Sequence, residues 1–154
     1  MEKFYKLRDW IDKNKLDWVS LSTNTHPVSI YLLEQNPDKI DWSCLSSNPS
    51  AIHLLENNLD KINWFFLSEN SAAIHLLEVN PEKINWFYLS GNPGGISLLE
   101  KNIDKINWIA ISLNTSAIHI LEKNPHKIKW KYLSSNPAAI RIIEIVKKFP
   151  EKIQ

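Results

Sequence analysis

The sequence predicts an all-α protein, an α-solenoid of six two-helix units of about 22 residues with a capping helix at each end. Three observations predict it. Trp18, Trp42, Trp64, Trp86, Trp108 and Trp130 are separated by 24 residues and then four times by 22. Asn-Pro pairs recur at fixed offsets from these tryptophans, and each is followed by an apolar stripe at helical spacing. A fixed period in this range marks a stacked repeat, in which no unit buries its apolar face alone.

Residues 1–17 read as an N-terminal cap. An amphipathic helix is expected over 3–13, with Phe4, Leu7, Trp10 and Ile11 on one side, and Lys15-Leu16-Asp17 matches the close of a unit. The repeats cover 18–137. Aligned on tryptophan, the unit reads W-x-x-L-S-x-N-P-x-A-I-x-L-L-E-x-N-P-x-K-I-x, clearest over 42–63 and 86–107. The first copy carries two extra residues around Thr25-His26-Pro27.

Within a unit, Asn48-Pro49, Asn92-Pro93 and Asn136-Pro137 each open a helix. Asparagine is a favoured N-cap, and proline suits the first helical position because its missing N–H would have no partner there. In that helix Ile52 and Leu55 share a face, Ala51 and Leu54 widen it, and His53 and Glu56 lie opposite. A helix of about nine residues does not survive alone in water, so stacking must hold it.

The stretch from Asn36-Pro37 to Ser47 has two readings. One continuous helix would place Ile40 and Trp42 about 200° apart. The favoured alternative is a tight turn over Pro37 to Ile40 and then a second short helix. Asp17, Asp41, Asn63, Asn85 and Asn107 then cap the helix that begins at each tryptophan, with Ile40 and Leu45 as a hydrophobic staple. Lys129 breaks that capping pattern. At the C-terminus, 138–154 read as a longer capping helix, Ala138 to Phe149, and a final Lys-Ile turn over Pro150 to Ile153.

The 154 residues carry 18 basic and 17 acidic side chains, a net charge of +1. Nucleic-acid binders carry a basic excess because phosphate neutralisation drives their affinity, so this balance argues against a nucleic-acid partner. No apolar run reaches the length of a membrane span, and the start does not read as a signal peptide. A single cysteine, Cys44, excludes a disulfide framework and a paired-cysteine zinc site. An intracellular, reducing setting is expected.

The runs 45–56, Leu-Ser-Ser-Asn-Pro-Ser-Ala-Ile-His-Leu-Leu-Glu, and 80–86, Asn-Pro-Glu-Lys-Ile-Asn-Trp, resemble short repeats abundant in proteins of giant viruses, the nucleocytoplasmic large DNA viruses. The resemblance covers residues 14–144. It implies a viral, intracellular origin and an interaction role, and it brings no activity or ligand with it. The unit is also similar in architecture to leucine-rich-variant and HEAT-like helical repeats.

Candidate chemistry meets a plainer reading at each position. His53, His75 and His119 share one unit position. Helices stack about 10 Å apart, so neighbouring histidines rarely share an ion. A surface pair with the glutamate three residues on (Glu56, Glu78, Glu122) is the expectation, and no metal. Glutamates at 34, 56, 78, 100, 122 and 144 and lysines at 39, 61, 83, 105 and 127 suggest alternating edge ion pairs. Acid–base catalysis needs two carboxyls in different environments, and the repeat gives every glutamate the same one. The tryptophans are expected in the core rather than as base-stacking platforms. Neither Cys44 nor Gly91, Gly94 and Gly95 fit a nucleophile or phosphate-loop pattern. No enzyme and no cofactor is expected.

In stacked repeats the positions that vary between units carry specificity. The residue after each tryptophan and the one four later point outward together, which places Phe65, Phe87, Ile109 and Leu113 in a row. Phe66, Tyr88 and Tyr132 are expected half-buried beside them. Such a row is a protein-binding surface or is covered within the chain, and self-association through it is open. With His53, His75 and His119 on the opposite edge, these residues are the candidate partner contacts of a non-catalytic interaction scaffold.

Overall fold

In the computed structural model, which describes residues 8–142, the chain is all-α, and no strand occurs among the described residues. Its helices are short: α1 (Trp18–Thr23), α2 (Pro27–Glu34), α3 (Trp42–Ser46), α4 (Ile52–Glu56), α5 (Trp64–Leu67), α6 (Ile74–Glu78), α7 (Trp86–Gly91), α8 (Ile96–Lys101), α9 (Trp108–Leu113), α10 (Ile118–Lys123) and α11 (Trp130–Leu133). Residues 140–142 are helical as well.

Each odd-numbered helix begins at a tryptophan because the residue before it is a cap. Asn63 Oδ1 accepts from the N–H groups of Phe65 and Phe66, Asn85 from Phe87 and Tyr88, and Asn107 from Ile109 and Ala110. Asp17 and Asp41 do the same for α1 and α3. The Ser20 hydroxyl also donates to Asp17, at 2.7 Å, and with the backbone bonds holds that carboxyl below the usual aspartate range. Lys129 supplies no side-chain cap to α11. Ahead of each tryptophan lies a 3₁₀ turn, such as Pro37–Lys39 or Pro81–Lys83, so the chain forms a turn plus a helix and not one continuous helix.

The even-numbered helices differ in a detail from expectation. The Asn-Pro pair opens a 3₁₀ turn, Pro49–Ala51 for instance, and the α-helix starts only at Ile52. In the first unit the two extra residues hand the cap to His26, whose Nδ1 accepts from Val28 N–H at 3.2 Å. The second asparagine of each unit closes the helix behind it. Asn36, Asn58, Asn80, Asn102 and Asn124 each donate from Nδ2 to the carbonyl four residues back, at 2.8–2.9 Å.

Packing joins each unit to the next. Helix α1 packs on α3, α3 on α5, α7 on α9 and α9 on α11, and the 3₁₀ turns that follow these helices lie against one another. Leu45, Leu67, Leu89, Ile111 and Leu133 from the odd helices meet Leu55, Leu77, Leu99 and Leu121 from the even ones, all nearly or wholly buried. Ala51, Ala73, Ala117 and Ala139 are buried beside them. Gly95 stands at that position in the fourth unit. There an added Cβ would lie 2.6 Å from Leu89 Cδ1, so this glycine permits a close approach.

Two buried polar ladders run through this core. Asn48 Nδ2 donates to the Ser22 and Asn24 carbonyls, Asn70 to Ser46, Asn92 to Ser68, Asn114 to Ser90 and Asn92, and Asn136 to Ser112, all at 2.9–3.1 Å. The hydroxyls of Ser22, Ser46, Ser68, Ser90 and Ser112 donate to the carbonyls of the tryptophans four residues back, at 2.6–2.8 Å. The same oxygens accept the N–H groups of Asp41, Asn63, Asn85, Asn107 and Lys129, the residues from which the next odd-numbered helices start, at 2.9–3.2 Å. No buried side-chain nitrogen or oxygen among the described residues lacks a partner.

The N-terminal expectation needs correction where it can be seen. Residues 8–12 are not helical, and Trp10 is 77% exposed instead of facing a core. Asp12 accepts from Asn14 N–H and starts a 3₁₀ turn at Lys13, a local bond that competes with a continuous helix. Residues 3–7 of that helix, residues 143–149 of the C-terminal one and the Lys-Ile turn after it lie outside the described residues.

Three variants test this account. Asn114→Ala removes two inter-unit bonds, to the Ser90 and Asn92 carbonyls, together with the cap on Ser116 N–H, so urea unfolding should show a loss of about 2–4 kcal/mol. Asn107→Ala removes only a partly exposed cap and should lose about 1 kcal/mol. Lys129→Asn restores the missing cap on α11 and should raise stability by about 0.5–1 kcal/mol. Equal losses in the first pair would show that the buried ladder contributes nothing beyond ordinary capping.

Candidate interaction surface

The odd-numbered helices present one face outward. Asparagine or aspartate caps fix where each helix starts, and the buried leucine at its fourth position fixes its rotation. The residue after tryptophan therefore points away from the core. Phe65 is 43% exposed, Phe87 50%, Ile109 37% and Leu113 46%, so the predicted row stands at the surface. Val19 is exposed at the same position in the first unit, but Ser43 in the second interrupts the row, and Lys131 ends it in the last. Ser43 and Ser47 are half-buried, as are Phe66, Tyr88 and Tyr132.

The aromatic members touch each other across units. The Phe65 and Tyr88 ring centroids are 4.2 Å apart, Phe65 and Phe66 meet edge-on at 5.2 Å, and Phe87 and Tyr88 edge-on at 5.3 Å. Mutual packing restricts these rings.

The tryptophans do not lie deep in the core. Trp42, Trp64, Trp86 and Trp108 are half-buried at its rim, because the buried leucine of the same helix fills the interior. The lysine near the end of the same unit lies over each ring: Lys61 over Trp42, Lys83 over Trp64, Lys105 over Trp86 and Lys127 over Trp108, 4.4–5.0 Å from the ring centroid. The expected lysine–glutamate edge pairs give way to this arrangement. Lys39, the first of the series, is 3.5 Å from Asp38. Each such cation–π contact contributes about 0.5–1 kcal/mol at an exposed site.

The histidines lie on the even-numbered helices at the other edge, but their partners are not three residues on. His53 Nε2 meets Glu34 at 2.7 Å, His75 meets Glu56 at 2.8 Å and His119 meets Glu100 at 3.0 Å. The partner is always 19 residues earlier, on the preceding even helix. Ser97 takes the histidine position in the fourth unit, so the series skips Glu78. These pairs are exposed and each is worth roughly 0–1 kcal/mol. The structure thus separates the two sets of candidate residues: the apolar row on the tryptophan helices, the histidines on the opposite edge.

Two features remain. A recess of about 310 Å³ opens where the first unit carries its extra residues, lined by Thr25, Pro27, Ile30, Tyr31, Glu34, Ser50 and His53. Burial, and the nearby charge of Asp41, push the Cys44 thiol above its usual range, which keeps it protonated and a weak nucleophile. Among the described residues no helix is long and apolar enough to cross a membrane. No family model matches the chain, and no curated protein or solved structure matches it either.

Sequence reasoning missed the lysine–tryptophan contacts and the cross-unit histidine–glutamate pairs. A signal for both was present, because each partner recurs at a constant offset in the chain, the same for the two kinds of pair. Lys105→Met should lower stability by about 0.5–1 kcal/mol and shift the fluorescence of Trp86. Lys39→Met should change stability far less in the same urea titration, and equal losses would mean that the rings do not feel the ammonium groups.

Proposed function

We propose that this chain is a non-catalytic α-solenoid of six two-helix units that holds a protein partner. The observation that carries the proposal is the contiguous exposed row of Phe65, Phe87, Ile109 and Leu113 on consecutive tryptophan helices. Apolar groups gathered at one face of a folded protein mark a binding surface, because single exposed residues scatter. The row occupies unit positions that the packing leaves open, since tryptophan, leucine, serine and asparagine carry the contacts between units. Its restricted aromatic rings suit a central hot spot.

A nucleic-acid partner is less well supported. Four of the lysines that would form a phosphate-tracking stripe lie over tryptophan rings, and the net charge is only +1. The likeness to giant-virus repeats supports an interaction role inside an infected cell.

The test is a quantitative pull-down from an extract of the native or infected cell. The protein is compared with a variant carrying Phe65→Ser, Phe87→Ser and Ile109→Ser, after circular dichroism shows both to be equally helical. A protein captured by the original and reduced at least tenfold with the variant is the expected outcome. Equal capture by both would sink the row as the binding surface.

A further inference from the structure

Charge along the stack is uneven. Residues 18–107 carry five lysines and ten acidic side chains, whereas residues 108–142 carry five basic side chains and one acidic. The change falls where the apolar row ends. Around successive tryptophans, residues 38–43, 60–65, 82–87 and 104–109 read D-K-I-D-W-S, D-K-I-N-W-F, E-K-I-N-W-F and D-K-I-N-W-I, each with one lysine and at least one acid. The matching residues 126–131 read H-K-I-K-W-K, with three lysines and no acid.

One of these lysines stands at the row's own position. Lys131 follows Trp130 as Phe65, Phe87 and Ile109 follow their tryptophans, and like them it is exposed. Its helix is rotated as theirs are, because Leu133 is buried at the fourth position as Leu67, Leu89 and Ile111 are. The position after tryptophan is therefore apolar in three consecutive units and cationic in the next. Lys129, two residues earlier, is exposed as well and adds charge at that end. Lys127 lies over Trp108, but among the described residues neither Lys129 nor Lys131 has a carboxylate partner. At the other end of the row Glu69 is exposed, four residues after Phe65, where the later units hold Gly91, Leu113 and Ser135.

We infer that the segment seated on the row is a peptide with carboxylates at one end. Its apolar side chains meet Phe65, Phe87, Ile109 and Leu113, and its carboxylates meet Lys131 and Lys129. This rests on the reading of the row as a protein-binding surface and adds the chemistry and the direction of what binds there. Apolar contact supplies the affinity, and the charges decide which way round the segment lies. Reversed, it would set its acids against Glu69 and leave the two lysines without partners. A nucleic acid fits less well, because its phosphates would run past Glu69 and over three units that hold no cation at the row's position.

Units about 10 Å apart put Lys131 roughly 30 Å from Phe65. A peptide of about 20 residues spans that distance as a helix, and fewer residues suffice when it is extended. Selection from a display library of random peptides of that length, on the full chain, tests the inference. The enriched peptides should combine apolar residues with a cluster of acids to one side of them. In fluorescence anisotropy these peptides should bind Phe87→Ser at least tenfold more weakly. Lys131→Glu should weaken them about fivefold at low salt, and the difference should vanish near 1 M salt, where charges are screened within about 3 Å. Lys131→Glu alters one exposed side chain, so its urea unfolding should match the original, and selection repeated on it should lose the acidic cluster.

Peptides that need Phe87 but show no acidic bias, or that bind Lys131→Glu equally well, overturn the inference and leave the row as a protein-binding surface. Peptides indifferent to Phe87→Ser, or a selection that enriches none, overturn the row and the inference together. A single-stranded oligothymidylate that binds more tightly than every enriched peptide, and is lost with Lys131→Glu, overturns it in favour of a nucleic acid.

Discussion

The structure depends on one buried contact, the serine hydroxyl that ties each unit to the next. Ser46 Oγ donates to the Trp42 carbonyl within its own helix and accepts the N–H of Asn63, the cap of the following unit's first helix. A single oxygen thereby saturates a helical carbonyl at one end and orients the cap residue of the next helix at the other. The asparagine two residues after each serine repeats the logic, taking a carbonyl of the preceding unit on Nδ2 and capping its own turn with Oδ1. Hydrogen bonds are directional, whereas leucine against leucine tolerates sliding. The ladders hold the units in register, and helices this short need that support because none would persist alone in water.

Around this spine the rims are finished by weaker contacts. A lysine covers the tryptophan face of its own unit on one side, and a histidine meets a glutamate of the preceding unit on the other. None is individually strong, since all are partly solvated. Their effect is to cover the large rings left half-buried at the rim and to satisfy the carboxylates between stacked helices. The fourth unit shows how loosely this edge is specified. Ser97 drops out of the histidine series while Leu98 and Leu99 beside it stay buried.

The period, the caps and the turn before each tryptophan were all legible in the sequence, because each depends on neighbours within a few residues. Asn63, Asn85 and Asn107 cap where the spacing placed them, and Lys129 fails where it was expected to fail. The outward direction of Phe65, Phe87 and Ile109 followed from helical geometry in the same way. Contacts between units were not legible. His53 has Glu56 within helical reach, yet it pairs with Glu34, because the stack brings the preceding helix closer than its own next turn. The tryptophans were misplaced for a related reason. A recurring large aromatic reads as core, but Leu45 and its equivalents already fill the interior, and the ring is left at the rim under a lysine. The first asparagine of each unit reads as a helix cap, and nothing local reveals that it and the serine two residues before it are buried.

The division of labour within the unit explains why the candidate surface falls where it does. Tryptophan, leucine, serine, asparagine, isoleucine and alanine at their fixed positions each meet an obligation to the next unit, and changing one breaks a contact on both sides. The positions one and five places after each repeat tryptophan meet no such obligation. They hold valine, serine, phenylalanine, isoleucine or lysine in one place and threonine, serine, glutamate, glycine or leucine in the other. Positions free of structural duty are where apolar side chains can gather at the surface without weakening the core. The gathering in consecutive units is therefore a property of this chain and not of its repeat. Lys129 extends the argument, since it occupies a position that does carry a structural duty, and there the helix has given up its cap. The free positions explain how an apolar row can stand at the surface of this repeat, and in the last unit lysines flank the tryptophan on both sides.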